Sequence, residues 1–533
     1  MIGSDPFLVV FFALYFVVFL KTLLFHTYLW QNKEYLPLRL FNELITPQGQ
    51  KYSLPPQTIT KIFLLIFYPL FPNLRLIFTL SIIAIFIYDF FLSICSFLNK
   101  TFKKPKNFTH KIVIIAFLSI ISSIFILFIL IFLKTSILYT LLFIERTIPF
   151  LVFIFVLIAK IPTKITKKII IYQAKQKLKK FKNLKIIGIT GSFGKTSVKE
   201  FTAQILGSKF QVLKTPKNIN TDIGVAELIL KELKPHHQIF VVEMGAYKKR
   251  EIKDICKIAP PDISILTAIS EQHQESFKSL ENTIATKSEI FEYQKKGGLA
   301  IINADNYYCT QIAQRLKQKK ILYSTNNKAD LYAQNIKVFP TGFLFALLID
   351  GQKITIKSKL LGRQNVSNLL PAITVAQKFG LTLDEIKNQI NKIAPIEKTM
   401  RIIPGIKKSI LIDDSYNANP DGIIAALKYL QSYSSRKKII VFSGMYELGQ
   451  SAKKLHLKIG EAIGKICDLA IFTNINYQEE LIKGFTKFKP KKFIIFEDNF
   501  KKASEILKKN LDNQPVILFE SRTTDLILKD LKA

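Results

Sequence analysis

The stretch TGSFGKTS, residues 190–197, sets two glycines around a Lys-Thr pair, after the apolar run LKIIGIT and before the helical pattern TSVKEFTAQIL. Strand, glycine turn and helix N-terminus form the setting of a phosphate-binding loop. Gly191 and Gly194 let backbone N–H groups close on phosphate oxygens, beside Ser192 and Ser197, and the helix start adds partial positive charge. Lys195 reaches the β- and γ-phosphates and the Thr196 hydroxyl ligates Mg²⁺. Ile189 stands where the longer GxxxxGK[ST] loop has its first glycine. A purely structural turn would not call for Lys-Thr at this place, so the chemistry expected is ATP with Mg²⁺. Other candidates are ambiguous by type alone. Glu243 closes IFVVEMGA, His273 lies in SEQHQESF and Lys287 in ATKSEIF; singly they read as a solvated charge, a structural histidine and a surface lysine. Cys95, Cys256, Cys309 and Cys467 form no CxxC pair, which argues against a disulfide framework or a zinc site.

The elements around the loop alternate in type. After residue 184, QIFVVEMGA, DISILTAIS and GLAIINADN read as short buried strands between helical stretches, which suits a parallel sheet flanked by helices. Between 329 and 361 the period becomes two, and Asp350-Gly351 marks the turn of an antiparallel ribbon. A second series starts near 396 with ILIDD, KKIIVFSG, DLAIFT, KKFIIFED and PVILFES. The expectation is an α/β protein: a P-loop parallel-sheet ATPase domain over 185–395 and a Rossmann-like C-terminal domain over 396–533. Ligands should sit at the carboxyl ends of the strands.

The part before is different. Apolar segments at 7–30, 76–98, 111–133 and 136–159 each suffice for a bilayer, which takes about 20 helical residues. A shorter run near 62–71, with Pro69 and Pro72 close by, reads as interfacial or re-entrant. Residues 1–160 are thus expected to form an N-terminal helical transmembrane region of about four spans, and 161–184 a basic amphipathic linker on anionic headgroups. Lys100, Lys103, Lys104 and Lys106 and the lysines after 160 place both termini in the cytoplasm by the positive-inside rule. The expected location is the cell membrane, multi-pass, with the soluble domains cytoplasmic and the lipid bilayer as a partner. The net charge of +37 shows no basic stripe interleaved with aromatics, so nucleic acid is not expected as a partner.

SFGKTSVKEFTAQIL, IGVAELIL, VVEMGA, ATKSEIF, NADN, LLGRQNVSN, DDSYNANP and GMYELG occur in the order and spacing of the Mur ligases, and over most of 185–525 the chain resembles that family. DDSYNANP with ELG is most similar to the branch that adds D-alanyl-D-alanine to a muramoyl tripeptide. The resemblance implies that ATP phosphorylates a substrate carboxylate and that an amine attacks the acyl phosphate. Glu243 matches the carboxylate that binds Mg²⁺, His273 a second metal-site histidine, and Lys287 the lysine that is often carbamylated. Asn368 matches an adenine-side asparagine, and Arg401 and Asp414 match residues of the last domain that close over ATP. Asn218 and Asn220 resemble an Asn-rich loop near the acyl substrate, and Tyr416, Asn417 and Asn419 the amine side. Departures are Lys217 for glycine, Gln364 for histidine, and Phe519-Glu520 for a Lys-Gly pair. Nothing before residue 180 matches the family's first domain.

The resulting expectation is a membrane-anchored, ATP-dependent amide-bond ligase of peptidoglycan precursor synthesis. It would take a UDP- or lipid-linked muramoyl peptide and D-alanyl-D-alanine. Two rivals remain: a Mur-like ligase of another polymer, of the poly-γ-glutamate type, and an inactive nucleotide-binding membrane scaffold. DDSYNANP counts against the first rival, and retention of Lys195, Thr196, Glu243, His273 and Lys287 against the second.

Overall fold

A computed structural model describes residues 6–533 apart from 34, 46–48, 51–54, 100–101, 106, 217–218, 271–276, 278, 417, 446–447, 449–450 and 475. The chain packs as two units, Met1–Lys168 and Ile169–Ala533.

The first unit is helical: α1 (Pro6–Asn32), α2 (Pro37–Leu44), α3 (Pro56–Leu70), α4 (Arg75–Leu98), α5 (His110–Phe132), α6 (Ile137–Ile158) and the start of α7 (Lys160–Lys179). Among the described residues four helices are long and apolar enough to cross a membrane. Several of their hydroxyls return to backbone carbonyls one turn back, as Ser81 to Ile77, Ser119 to Ile115 and Ser123 to Ser119, which satisfies those donors within their own helix.

Buried charges fix the helix directions. Lys61 on α3 is 1% exposed. Its Nζ lies 2.5 Å from Asp89 of α4 and 3.0 Å from Glu145 of α6. Glu145 also accepts the Thr22 hydroxyl of α1 at 3.1 Å and two donors of the adjacent Arg146 guanidinium. Thr22 meets Glu145 and Trp30 meets Phe153, so α1 runs parallel to α6. Lys61 meets Glu145 while Tyr68 stacks on Tyr139, so α3 runs antiparallel to α6.

The short run at 62–71 belongs to α3, which is not among those four helices. One expectation is corrected: because α1 runs parallel to α6, the start of α1 lies at the opposite end of the unit from the end of α6, so the two do not share one side. The basic loops remain together. Gln31 donates to the Asn107 carbonyl and Lys111 sits over the Tyr35 ring, so the 31–39 region with Lys33 and Arg39 shares one end with Lys103 and Lys104.

The second unit holds two sheets. The nine-stranded sheet has the order β2-β3-β1-β4-β5-β6-β7-β8-β9, parallel through β7 and antiparallel from β7 to β9. Its strands are β1 (Lys185–Thr190), β2 (Val212–Lys214), β3 (Ile239–Glu243), β4 (Ile263–Leu266), β5 (Leu299–Asn303), β6 (Lys320–Ser324), β7 (Leu331–Phe339), β8 (Gly342–Ile349) and β9 (Gln352–Ser358). The expected ribbon is present, with Asp350 at φ 47° and Gly351 at φ 76° making the tight turn. Alternate residues of central β1 feed two cores. Ile187 and Ile189 pack with α8 (Lys195–Leu206) and the helix Gln364–Lys378, and Ile186 packs on the other face with the helix Asp222–Glu232.

The second sheet has the order β10-β11-β15-β12-β13-β14, antiparallel only between β10 and β11. It comprises β10 (Arg401–Pro404), β11 (Ile410–Asp414), β12 (Lys438–Phe442), β13 (Leu469–Phe472), β14 (Ile494–Phe496) and β15 (Val516–Glu520). Helices cover both of its faces. In both sheets the residues of interest leave the carboxyl ends of parallel strands.

Candidate active site

The loop between β1 and α8 takes its shape from two glycines. Gly191 has φ 151° and a Cβ there would fall 2.0 Å from Thr267 Oγ1. Gly194 has φ 82° and a Cβ would fall 2.6 Å from Asn368 Oδ1. Any larger residue closes the cradle or forces a left-handed conformation that L-residues avoid. Behind the loop, the Ser192 N–H donates to the Ala268 carbonyl at 2.7 Å and the Ser270 N–H to Ser192 Oγ at 3.0 Å. Thr267 bonds the Phe193 carbonyl and is itself held by Asn303.

Two lysines converge on this loop. Lys195 Nζ donates to the carbonyls of Gly191 at 2.8 Å and Ser192 at 3.1 Å, and Lys287 Nζ donates to the same Gly191 carbonyl at 3.0 Å. Burial, and next the neighbouring Lys195 charge, hold the Lys287 ammonium well below its ordinary pKa. Burial lowers that of Lys195 as well.

Strand β3 brings Glu243 to the loop, in register with Ile189 of β1. Its Oε2 accepts the Thr196 hydroxyl at 3.0 Å and its Oε1 the Asn220 amide at 3.3 Å. An octahedral Mg²⁺ with oxygens at 2.0–2.1 Å sets adjacent ligands about 3 Å apart. The Thr196–Glu243 oxygen pair therefore fits that ion. Among the described residues no three His, Cys, Asp or Glu side chains converge.

Lys199 escaped the sequence reading. It is 0% exposed, with Nζ 3.4 Å from Glu243 Oε2 and 3.4 Å from Glu200 Oε1, yet it has no hydrogen-bond partner. The only available signal was its place one turn beyond Lys195 on α8. His456 was missed too. Its Nδ1 faces the Ala452 carbonyl at 2.8 Å, its Nε2 accepts the Met445 N–H at 3.1 Å, and its ring stacks on Tyr477. It thereby holds the start of the GMYELG loop, and burial pushes its pKa down.

Asn368, on the helix Gln364–Lys378 that packs along α8, donates to Asn365 at 3.1 Å beside Gly194. The remaining predicted residues gather on the second sheet. Arg401 is exposed opposite Asp413, and Asp414 accepts the Met400 N–H at 3.1 Å. The Tyr416 carbonyl accepts Arg522 Nε at 3.0 Å. Asn419 caps the helix Pro420–Leu430 through Gly422 at 2.9 Å. Glu520 is 1% exposed and pairs in register with Asp414. Burial first, and then the Asp413 charge, raises the Asp414 carboxyl to about 7, while burial and then the Asp414 charge push Glu520 well above its ordinary range. Asn218, His273 and Asn417 lie outside the described residues.

Residues 189–376 match the Mur ligase middle domain and residues 400–522 the Mur ligase, glutamate ligase domain. A relative from Buchnera aphidicola subsp. Acyrthosiphon pisum is 36% identical over 327 residues, which are 61% of this chain and 70% of that one. This chain belongs to the Mur ligase family, whose members are ATP-dependent ligases that form amide bonds. That relative is named UDP-N-acetylmuramoyl-tripeptide–D-alanyl-D-alanine ligase, as is one from Escherichia coli (strain K12), 33% identical over 280 residues, 52% of this chain and 62% of that one. The chain thus spans less than two thirds of the Escherichia coli relative's length. Among solved structures, MurF from Acinetobacter baumannii superposes with a TM-score of 0.63 at 25% identity over 69% of this chain and 80% of that one. MurF ligase from Thermotoga maritima in complex with ADP gives 0.61 at 25% identity over 68% and 83%.

Proposed function

We propose that the chain joins D-alanyl-D-alanine to the peptide carboxylate of a muramoyl tripeptide in peptidoglycan precursor synthesis, from a membrane-anchored position. The observation that carries this reading is the convergence of Lys195, Thr196, Asn220, Glu243 and Lys287 on one glycine loop, in a chain whose relatives bear that name. The loop amides and Lys195 bind the β- and γ-phosphates of ATP. Lys195 turns from the Gly191 and Ser192 carbonyls to the transferring phosphoryl, where it offsets charge developing in the transition state. Thr196 and Glu243 would hold Mg²⁺, which supplies Lewis-acid neutralisation of the phosphate oxygens. The substrate carboxylate oxygen takes the γ-phosphoryl group and ADP leaves. The amine nitrogen then attacks the acyl carbon, phosphate leaves with the C–O bond, and the amine sheds one proton. Asn368 borders the nucleotide side, while Arg401 and Asp414 approach it from the second sheet.

Lys287 has a specific task in this reading. Its lowered pKa keeps a share of the amine neutral, the form that adds CO₂ and releases a proton to give a carbamate. The resulting carboxylate replaces a cation with an anion beside the loop and suits magnesium. The apolar helices favour a position at a cell membrane, with the active site on its cytoplasmic side. They also favour a refinement, a lipid-linked muramoyl peptide as acceptor, because confining both partners to one surface raises their effective concentration.

Membranes containing the full chain, given ATP, UDP-muramoyl-tripeptide and D-alanyl-D-alanine, should release phosphate and form a product heavier than the acceptor by one dipeptide less water. ATP turnover without that product would refute the assignment. Substituting the lipid-linked acceptor in the same membranes tests the refinement, and equal use of the two would leave the helices as an anchor.

A further inference from the structure

Helix α7 has two faces of opposite use. Ala174 is fully buried, and Ile170, Ile171 and Leu178 pack against the ligase unit's core. Lys177 donates to the Leu230 carbonyl at 2.8 Å from that side. The other face carries Ile161, Ile165, Ile169 and Tyr172, all more than half exposed, at the i, i+4, i+8 and i+11 positions of one stripe. A row of lysines, Lys164, Lys168 and Lys175, runs along one border of the stripe. A helix packed on a soluble core has no internal reason to present aligned isoleucines outward, since single exposed apolar residues are ordinary but an ordered stripe is not.

We propose that this face of α7 is a docking surface for an anionic lipid bilayer, which seats the ligase unit at the membrane–water boundary. The proposal rests on the reading that the first unit crosses the membrane. Two observations choose lipid as the occupant. Only Ala159 separates α7 from α6, so the stripe begins where the apolar helices end. The bordering lysines then meet anionic headgroups while their aliphatic stems and the isoleucines enter the acyl boundary, the usual arrangement of an interfacial helix.

The test uses the full chain in nanodiscs, with Cys95→Ala as background because Cys256, Cys309 and Cys467 are buried. Nitroxide labels at Ile165→Cys and Ile169→Cys report access to oxygen, which partitions into lipid, against a nickel chelate, which stays in water. A label at Phe125→Cys on α5 serves as reference. In discs of phosphatidylglycerol mixed with phosphatidylcholine, the α7 labels should show a several-fold loss of nickel access. That loss should diminish in phosphatidylcholine alone and in the K164Q/K168Q/K175Q variant. Water-like access at 165 and 169 with lipid-like access at 125 would overturn the docking surface alone. Water-like access at 125 would overturn the membrane reading beneath it. Dipolar broadening between α7 labels would show a second copy covering the stripe and also overturn the proposal.

Discussion

Each unit buries one lysine between two carboxylates, and the two arrangements differ in completeness. Lys61 touches Asp89 and Glu145 at 2.5 and 3.0 Å, and Glu145 is bonded further by Thr22 and Arg146. Lys199 stands 3.4 Å from both Glu200 and Glu243 with its donors unused. The first is a closed clamp among apolar helices. The second leaves Glu243 free to change partner. A buried charge that merely holds structure uses all its bonds; one next to chemistry keeps some in reserve.

The largest effect should come from opening the clamp. Lys61→Met leaves Asp89 without its cation and Glu145 with Arg146 alone, and should cost roughly 3–5 kcal/mol, seen as loss of folded protein on detergent extraction and heating. Adding Asp89→Asn should recover part of that loss, and a double variant no better than the single would break the comparison. At the loop, Lys195→Ala should leave the melting profile unchanged while ligation falls by about a thousandfold or more, as expected when a transition-state cation is removed. Substantial turnover by that variant would remove Lys195 from the phosphoryl transfer.

The Asp414–Glu520 pair predicts a smaller, pH-dependent effect. Folded Asp414 holds its proton up to about pH 7, whereas the unfolded residue loses it near 4. In that window the folded state binds more protons, so the Asp414 contribution makes stability fall as pH rises from about 4 to about 7. Asp414→Asn should therefore stabilise the ligase unit at pH 8.5 by about 1–3 kcal/mol more than at pH 5, read from melting at both values. A gain at acid pH only would invert the sign and reject the shared-proton pair. The smallest effect should come from Lys199→Met. Glu243 keeps Thr196 and Asn220, so stability should fall by only about 1 kcal/mol. The Mg²⁺ midpoint for nucleotide binding should drop a few-fold, since a cation competing for Glu243 Oε2 is gone. An unchanged midpoint would make Lys199 as inert a clamp as Lys61.

The loop was legible because its geometry is local: Gly191, Gly194, Lys195 and Thr196 adjoin in sequence and need only a strand before and a helix after. The Asp350-Gly351 hairpin was legible for the same reason. Lys199 was not, because its meaning depends on Glu243, which reaches it from another strand. Glu520 read simply as a departure from a Lys-Gly pair; only the register of β15 with β11 shows it facing Asp414. The direction of α1 was equally hidden. An apolar helix has the same hydropathy read either way, and its sense follows from Thr22 and Trp30 finding partners on α6.

The Lys61 clamp bears on how the helical unit is made. On the proposed membrane reading, α3 emerges from the ribosome with its lysine unmatched, a charge that costs up to about 2.5–3.5 kcal/mol in an inserting helix. Asp89 arrives only with α4, across the short turn Phe71–Leu74, and Glu145 two helices later. On that reading α3 is a poor lone passenger for an insertion machinery: it enters best paired with α4, and the clamp closes only when α6 joins.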